Sequence, residues 1–183
     1  ECHSRSETLV NVGSGFATSG RKVDTKSFEL SCDVDAFGGL QGRRHRVAVP
    51  MNGATYMADV MGGQKTGLFF DQRPNHAFAA SLSKDARVLD VFSHVGGFGL
   101  SALAAGAKSA LAVDGSAPAL ELAERGAAAM NVSDRFETRK GDAFDVLAAL
   151  AEEGQTFDVV VCDPPAFAPG KPSLEAGLRA YER

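Results

Sequence analysis

Val88 to Gly99 reads VLDVFSHVGGFG, an apolar run entering a glycine turn, and Phe157 to Phe167 reads FDVVVCDPPAF, an apolar run ending in Asp-Pro-Pro. In an open α/β sheet both stretches lie at the carboxyl ends of strands, beside the switch point where such sheets bind ligands. The pairing points to a nucleotide-like cofactor and a planar substrate.

Outward from these two sites, apolar runs alternate with helical segments. RVLDVF (87–92), SALAVD (109–114), RFETRK (135–140) and FDVVVCD (157–163) read as strands, while GFGLSALAAGA, APALELAERGAAAM and DAFDVLAALAEE read as helices. Runs apolar on both faces and separated by helices specify parallel strands covered on both sides. Right-handed crossovers then give a doubly wound, Rossmann-like α/β sheet in the order three, two, one, four. The cofactor belongs above the gap between strands one and four.

Upstream, HAFAASLSK places Phe78, Ala79 and Leu82 at helical spacing, and RVAVPMNGATYMADV reads as a hairpin turning at Asn52-Gly53. Residues 1–46 offer only Leu9, Val10 and Val12, then Phe28, Leu30 and Cys32, which suffices for a pair of short strands. The expected divisions are an N-terminal segment (1–46), a β-hairpin with a lid loop (47–68) and an α/β domain (69–183). Because the chain stops at Arg183 inside a helix opened by KPSLEAGL, it reads as a fragment cut after strand four.

Composition narrows the class. With 183 residues, 44% of them hydrophobic and 23% charged, the chain can bury a real core. It carries no secretory signal pattern and no membrane-length apolar run, which makes the cytoplasm the default location and excludes a membrane partner. Cys2, Cys32 and Cys162 share no close spacing with one another or with His3, His45, His76 and His94, so neither a metal site nor a disulfide framework is expected. A formal charge of −4 leaves GRRHR (42–46) as the local basic cluster. Gly15 to Lys22 approaches a phosphate-binding loop but has Arg21 and Lys22 where Lys and a hydroxyl residue are required. The oligomeric state is left open, a homo-oligomer included.

Gly96-Gly97 lets the backbone pass close under a ligand and start a helix whose free amides face outward, with Phe92 and Phe98 as candidate walls. The competing reading is a plain tight turn. Asp114 closes the second strand, where a carboxylate accepts both hydroxyls of a ribose; the alternative is a cap for the helix near Ala117. Asp142 follows strand three, placed to accept from an adenine amino group and equally to cap the helix DAFDVLAAL. Gly97 to Ala102 also fits G-x-G-x-x-A with an acid 17 residues on, which keeps a nicotinamide oxidoreductase open. Against that stand the extra turn from Phe92 to Val95 and the strand ending Asp163-Pro164-Pro165, whose prolines remove two donors and leave carbonyls and a carboxylate for a planar base.

Three blocks in order, GQKTGLFFDQR, VLDVFSHVGGFGLSAL and FDVVVCDPPAF, resemble the class I S-adenosylmethionine-dependent methyltransferases that modify carbon five of cytosine in large-subunit ribosomal RNA. The resemblance runs from about Met51 to Arg183 and makes 69–183 the cofactor-binding methyltransferase domain. It implies that Lys65, Thr66 and Gly67 line the methionine end, with Asp71, Gln72 and Arg73 as frame. It further implies Phe92, Gly96, Gly97 and Phe98 around methionine and ribose, Asp114 on the ribose, Asp142 and Ala143 beside the adenine, and Asp163 facing both cofactor and methyl acceptor as the catalytic acid. The family attacks carbon six of the base with a thiolate to activate carbon five. Cys162 points away from Asp163 by strand alternation and reads as core, so the resemblance implies a nucleophile beyond Arg183. Asp-Pro-Pro-x-Phe is shared with guanine-nitrogen RNA methyltransferases, which stay open as an alternative. Residues 1–46 depart from the family's amino-terminal RNA-binding domain, His76 stands where arginine is usual, and Asn131-Val132 replaces Asn-Gly.

Overall fold

The computed structural model describes residues 8–11, 46–60 and 67–166. Strand β1 (Thr8–Asn11) is followed by the hairpin β2 (Arg46–Met51) and β3 (Ala54–Asp59), and by helix α1 (Arg73–Ser81). Then come β4 (Arg87–Val91), α2 (Gly97–Ala104), β5 (Ser109–Asp114), α3 (Ala117–Ala129), β6 (Phe136–Lys140), α4 (Ala143–Glu152) and β7 (Val159–Cys162). The main sheet runs β1-β7-β4-β5-β6 and every pairing in it is parallel. The expected order of the four core strands is therefore the observed one. Leu9 and Val10 lie in β1 on the far edge of β7, a placement no local pattern announced. The second short strand around Phe28, the 15–22 loop and the helix opened by KPSLEAGL lie outside the described residues.

Strand alternation sorts the core into two layers. Val88, Ala110, Ala112, Val159 and Val161 face the side carrying α1, α2, α3 and the hairpin, while Leu89, Val91 and Val113 pack with Ala143, Val146 and Leu150 of α4. Cys162 packs against this second layer, half-buried, as its strand position requires. Small residues decide how closely α2 sits: a Cβ on Gly99 would come within 3.4 Å of the Ala110 methyl and 3.3 Å of the Phe136 ring. Leu100, fully buried behind them, contributes about 1.5–3 kcal/mol by leaving water.

The hairpin turns at Asn52-Gly53, both at positive φ, as an Asn-Gly turn should. It is fastened at two places. Asn52 Nδ2 donates to the Arg73 carbonyl at 2.8 Å and Oδ1 accepts from Arg73 Nε at 3.3 Å. Tyr56, wholly buried, donates to the Gly97 carbonyl at 3.2 Å and shares a hydrogen bond with Ser101. Burial pushes the Tyr56 hydroxyl up to about 12, so it stays protonated and able to donate.

The segment before β4 is helical, as its spacing predicts; Phe78 and Leu82 are 59% and 42% exposed, and α1 buries His76, Ala79 and Ala80. The close approach of α1 to the Gly97 turn leaves room on its inner face for alanines and one imidazole. Asn131, where the resemblance expects the first residue of an Asn-Gly turn, takes the left-handed conformation itself at φ 56.

Candidate functional site

The loops leaving β4, β5, β6 and β7 meet at one end of the sheet, and hydrogen bonds tie them together. The His94 amide donates to Asp114 Oδ2 at 2.8 Å, the Gly141 amide to the Asp114 carbonyl at 3.2 Å, and the Asp163 amide to the Val91 carbonyl at 3.5 Å. The rings of Phe92 and Phe144 meet edge-on across 6.3 Å. Val91 lies opposite both Val113 and Cys162 in register, so Asp114 and Asp163 flank the end of β4 from either side.

The loop after β4 is wound tightly. Phe92 (φ 62) and His94 (φ 50) are left-handed without being glycine, and Gly96 (φ 78) follows as the residue before α2. Each such non-glycine residue costs on the order of 1–3 kcal/mol, and such strain concentrates at functional sites.

Beneath this loop lies Asp90, which the sequence reading passed over. Its Oδ2 accepts from the Gly99 amide at 2.8 Å, while Oδ1 is buried with no partner among the described residues. Burial, reinforced by the charges of Asp114 and Asp163, pushes the carboxyl up to about 7 despite amide bonds from Gly99 and Phe98. Ser93 Oγ and His76 Nδ1 are likewise buried without partners. Buried polar atoms without partners are rare in native proteins, and Asp90 Oδ1, under the loop that leaves β4, is a candidate to meet a polar group from outside. The signal was present: an acid inside VLDVF, a run otherwise apolar on both faces.

Asp114 is half-buried, and its Oδ1 accepts from the Ser116 amide at 2.8 Å. It does not cap α3; Ser116 does, through a bond from the Ala119 amide at 3.4 Å. The capping alternative for Asp114 is thereby corrected: its side chain instead pins the turn after β4 to the end of β5, and each oxygen keeps a second lone pair. Asp142 does cap α4, its Oδ1 accepting from the Phe144 and Asp145 amides at 3.0 and 3.3 Å. It is exposed, and Ala143 beside it is buried in the α4 layer.

The glycine turn is closely packed. A Cβ on Gly97 would lie 2.6 Å from His76 Nε2, and one on Gly96 would lie 3.1 Å from the Ala123 Cβ and 3.2 Å from Phe136 Cζ. Protein atoms take up that space, so packing by itself demands glycine at both positions. Phe98 is buried in the first core layer, edge-on to His76 at 4.5 Å, whereas Phe92 packs against the second. The two rings thus pack against different layers of the core. Burial lowers His76 to about 4, keeping it neutral, which an arginine at this position would not be.

Gly67 (φ 86) is held for its shape, since a Cβ there would lie 2.9 Å from the Asp59 amide nitrogen. Lys65 and Thr66 lie outside the described residues. Of the expected frame, Arg73 anchors the hairpin, Asp71 is exposed, and Gln72 Nε2 donates to Asp163 Oδ2 at 2.9 Å. Asp163 is half-buried, and burial with the nearby Asp71 charge raises its carboxyl above the usual range. Among the described residues no group of three or more His, Cys, Asp and Glu side chains is placed to hold a metal ion, and no helix is long and apolar enough to cross a membrane. A cleft lined by Arg87, Glu137, Arg139, Glu153 and Phe157 opens toward the amino ends of β4 and β5, away from these groups.

Known proteins resemble this chain in sequence and fold. The chain is 44% identical over 133 residues to "Ribosomal RNA large subunit methyltransferase I" of Tolumonas auensis, covering 72% of this chain and 33% of the relative. It is 41% identical over 138 residues to the protein of the same name from Alteromonas mediterranea, covering 75% and 35%. The chain thus spans about a third of the length of these curated relatives. Its fold matches the crystal structure of SMU.776 complexed with SAH, with a TM-score of 0.63 and 25% identity over 71% of this chain and 35% of that one. The SAM-dependent methyltransferase from Agrobacterium tumefaciens shows the same fold, with a TM-score of 0.61 and 21% identity over 73% and 44%. The doubly wound sheet is thus the class I methyltransferase form, incomplete relative to these proteins. A family model described as "Conserved hypothetical protein 95" matches residues 71–175, more than half of the 183, and the chain belongs to that family.

Proposed function

We propose that this chain is the cofactor-binding part of an S-adenosylmethionine-dependent methyltransferase acting on a base of large-subunit ribosomal RNA, with carbon five of cytosine as the methylated atom. The observation that carries the reading is the meeting of Asp90, Asp114 and Asp163 around one strained loop at the carboxyl ends of β4, β5 and β7. The names of the relatives favour ribosomal RNA over a nicotinamide reaction.

The residues present fit the cofactor. Asp90 Oδ1 is a buried oxygen without a partner among the described residues, placed for a polar group of the cofactor, and Asp114 retains lone pairs for two ribose hydroxyls. The exposed Asp142 has its Oδ2 left for an adenine amino group, with Ala143 and Phe144 beside it. Lys65, Thr66 and Gly67 belong to the methionine end in this reading, and Phe92, Gly96, Gly97 and Phe98 form the turn that holds the pocket together. When bound, the cofactor supplies an electrophilic methyl group on a sulfonium. The chain's own part is positioning, which alone removes much of the entropic barrier to transfer. Asp163, its acidity reduced by burial and Asp71, is suited to hold or release a proton at a ring nitrogen of the base. The thiolate that activates carbon five is assigned to a cysteine outside residues 1–183, with 69–183 as part of the methyltransferase domain and 47–68 as its hairpin and lid. The protein that carries the chain then works on ribosomal RNA in the cytoplasm.

Calorimetric titration with S-adenosylhomocysteine tests the reading. Micromolar binding that falls at least tenfold in Asp114→Ala is expected, on the order of 1.4 kcal/mol or more for lost charge-assisted hydrogen bonds. Unchanged affinity in a folded Asp114→Ala protein rejects the ribose role, and no binding by the unaltered chain rejects the cofactor.

A further inference from the structure

The carboxyl of Asp163 is gripped from a distant part of the chain. Asn75, in the first turn of α1, donates from Nδ2 to Gln72 Oε1 at 2.6 Å, and Gln72 donates from Nε2 to Asp163 Oδ2 at 2.9 Å. All three residues are half-buried. A glutamine amide has one acceptor oxygen and one donor nitrogen. With the oxygen taken by Asn75, only N–H remains to face the carboxyl. Oδ2 is thus occupied, and Oδ1 has no hydrogen-bond partner among the described residues.

Building on the reading of Asp163 as the group that meets the acceptor, we propose that Gln72, locked by Asn75, is a positioning residue that reserves Oδ1 of Asp163 for the base. The consequence is chemical. An N–H donated to Oδ2 favours that oxygen as the carbonyl oxygen of the protonated acid, so the carboxyl takes up its proton preferentially at Oδ1. The base therefore meets one oxygen that accepts when ionised and donates when protonated. Such an oxygen matches a single ring nitrogen or amino group. The titratable groups around it are Asp71 in the turn before α1, Asp90 on β4 and Cys162 on β7. All three are acids, so Gln72 is the neutral donor that offsets them.

The test is carboxyl-carbon NMR of the full chain across pH, with the Asp163 signal identified by its loss in Asp163→Asn. In Gln72→Leu the carboxylate loses its N–H donor, and the acid dissociation constant of Asp163 is expected to fall about tenfold. Asn75→Ala frees the Gln72 amide to turn and is expected to shift the midpoint the same way by less. A purely structural role lowers the melting temperature and leaves the midpoint where it was. An unmoved midpoint in folded Gln72→Leu overturns the proposal; should that variant not fold, an unmoved midpoint in Asn75→Ala does so. Failure of the unaltered chain to bind S-adenosylhomocysteine overturns the functional reading instead, and the carboxyl titration still decides the positioning.

Discussion

Asp90 has no solvent exposure and has its carboxyl raised from 3.8 to about 7, so it must leave its mark on how stability depends on pH. In the folded chain the carboxyl keeps its proton to about 7; in the unfolded chain it loses the proton near 3.8. Between those values the folded state holds more protons, so rising pH removes stability. The difference of about three units corresponds to about 4 kcal/mol lost across the window, a large share of the roughly 5–15 kcal/mol that holds a domain together. His76 works in the opposite direction. Its folded value of about 4 lies below 6.5, so the folded state holds fewer protons between them, and rising pH adds about 3 kcal/mol. The two buried groups nearly offset each other on the acid side, and the unaltered chain is expected to show a flat stability profile there.

Asp90→Asn separates them. The amide keeps an oxygen for the Gly99 N–H and cannot ionise. Urea denaturation of both proteins, free of ligand, at several pH values from 4 to about 7 gives the comparison directly. The variant is expected to gain stability with rising pH up to 6.5 through His76, reinforced by His94 and opposed in part by Asp163. The difference between the two profiles should drift by about 4 kcal/mol toward the variant as pH reaches about 7. Parallel profiles would mean that Asp90 is ionised in the folded chain throughout, and the account of a protonated acid under the glycine turn would fail.

Two further outcomes follow from packing and capping. Gly97→Ala places a methyl group 2.6 Å from His76 Nε2, in a ring already held between Phe98 and Tyr56, and is expected to destabilise by about 1–3 kcal/mol in thermal melts. His76→Ala in the same chain should recover much of that loss, and a strictly additive double variant would rule out the contact as its cause. Asp142→Ala removes the cap of α4 and should lower stability by about 1 kcal/mol, while Asp142→Ser should keep most of it; equal melting of the two would show that the cap contributes nothing.

The fold was legible because its main determinants are local in the chain. RVLDVF, SALAVD and FDVVVCD are apolar on both faces, which only a strand covered on both sides tolerates, and handed crossovers leave one compact order for them. The loops that follow those strands had to share an end of the sheet. That is why Asp114, Asp142 and Asp163 could be named in advance, and why Asp114 and Asp163 flank β4 together. The role of Leu9 and Val10 could not be read in this way, because nothing in a four-residue run states which of several parallel edges it will join.

What the sequence hid is orientation. G-G in front of a helix looks the same whether the missing Cβ makes room for a ligand or for His76, and only the partner 21 residues upstream decides it. Phe92 and Phe98 stand six apart around a turn whose left-handed residues at Phe92, His94 and Gly96 send one ring to each face of the sheet. Asp90 was passed over because an acid inside a strand was read as part of its apolar run, when burial is what makes it informative. Gln72 and Asn75 are ordinary helix-entry residues until β7 delivers Asp163 from 91 positions away. Each hidden feature is a contact between segments distant in the chain, whereas each legible one is a property of a single strand and the turn that leaves it. Asp114, Asp142 and Asp163 belong to the second kind, and Asn75, which fixes the amide facing Asp163, belongs to the first.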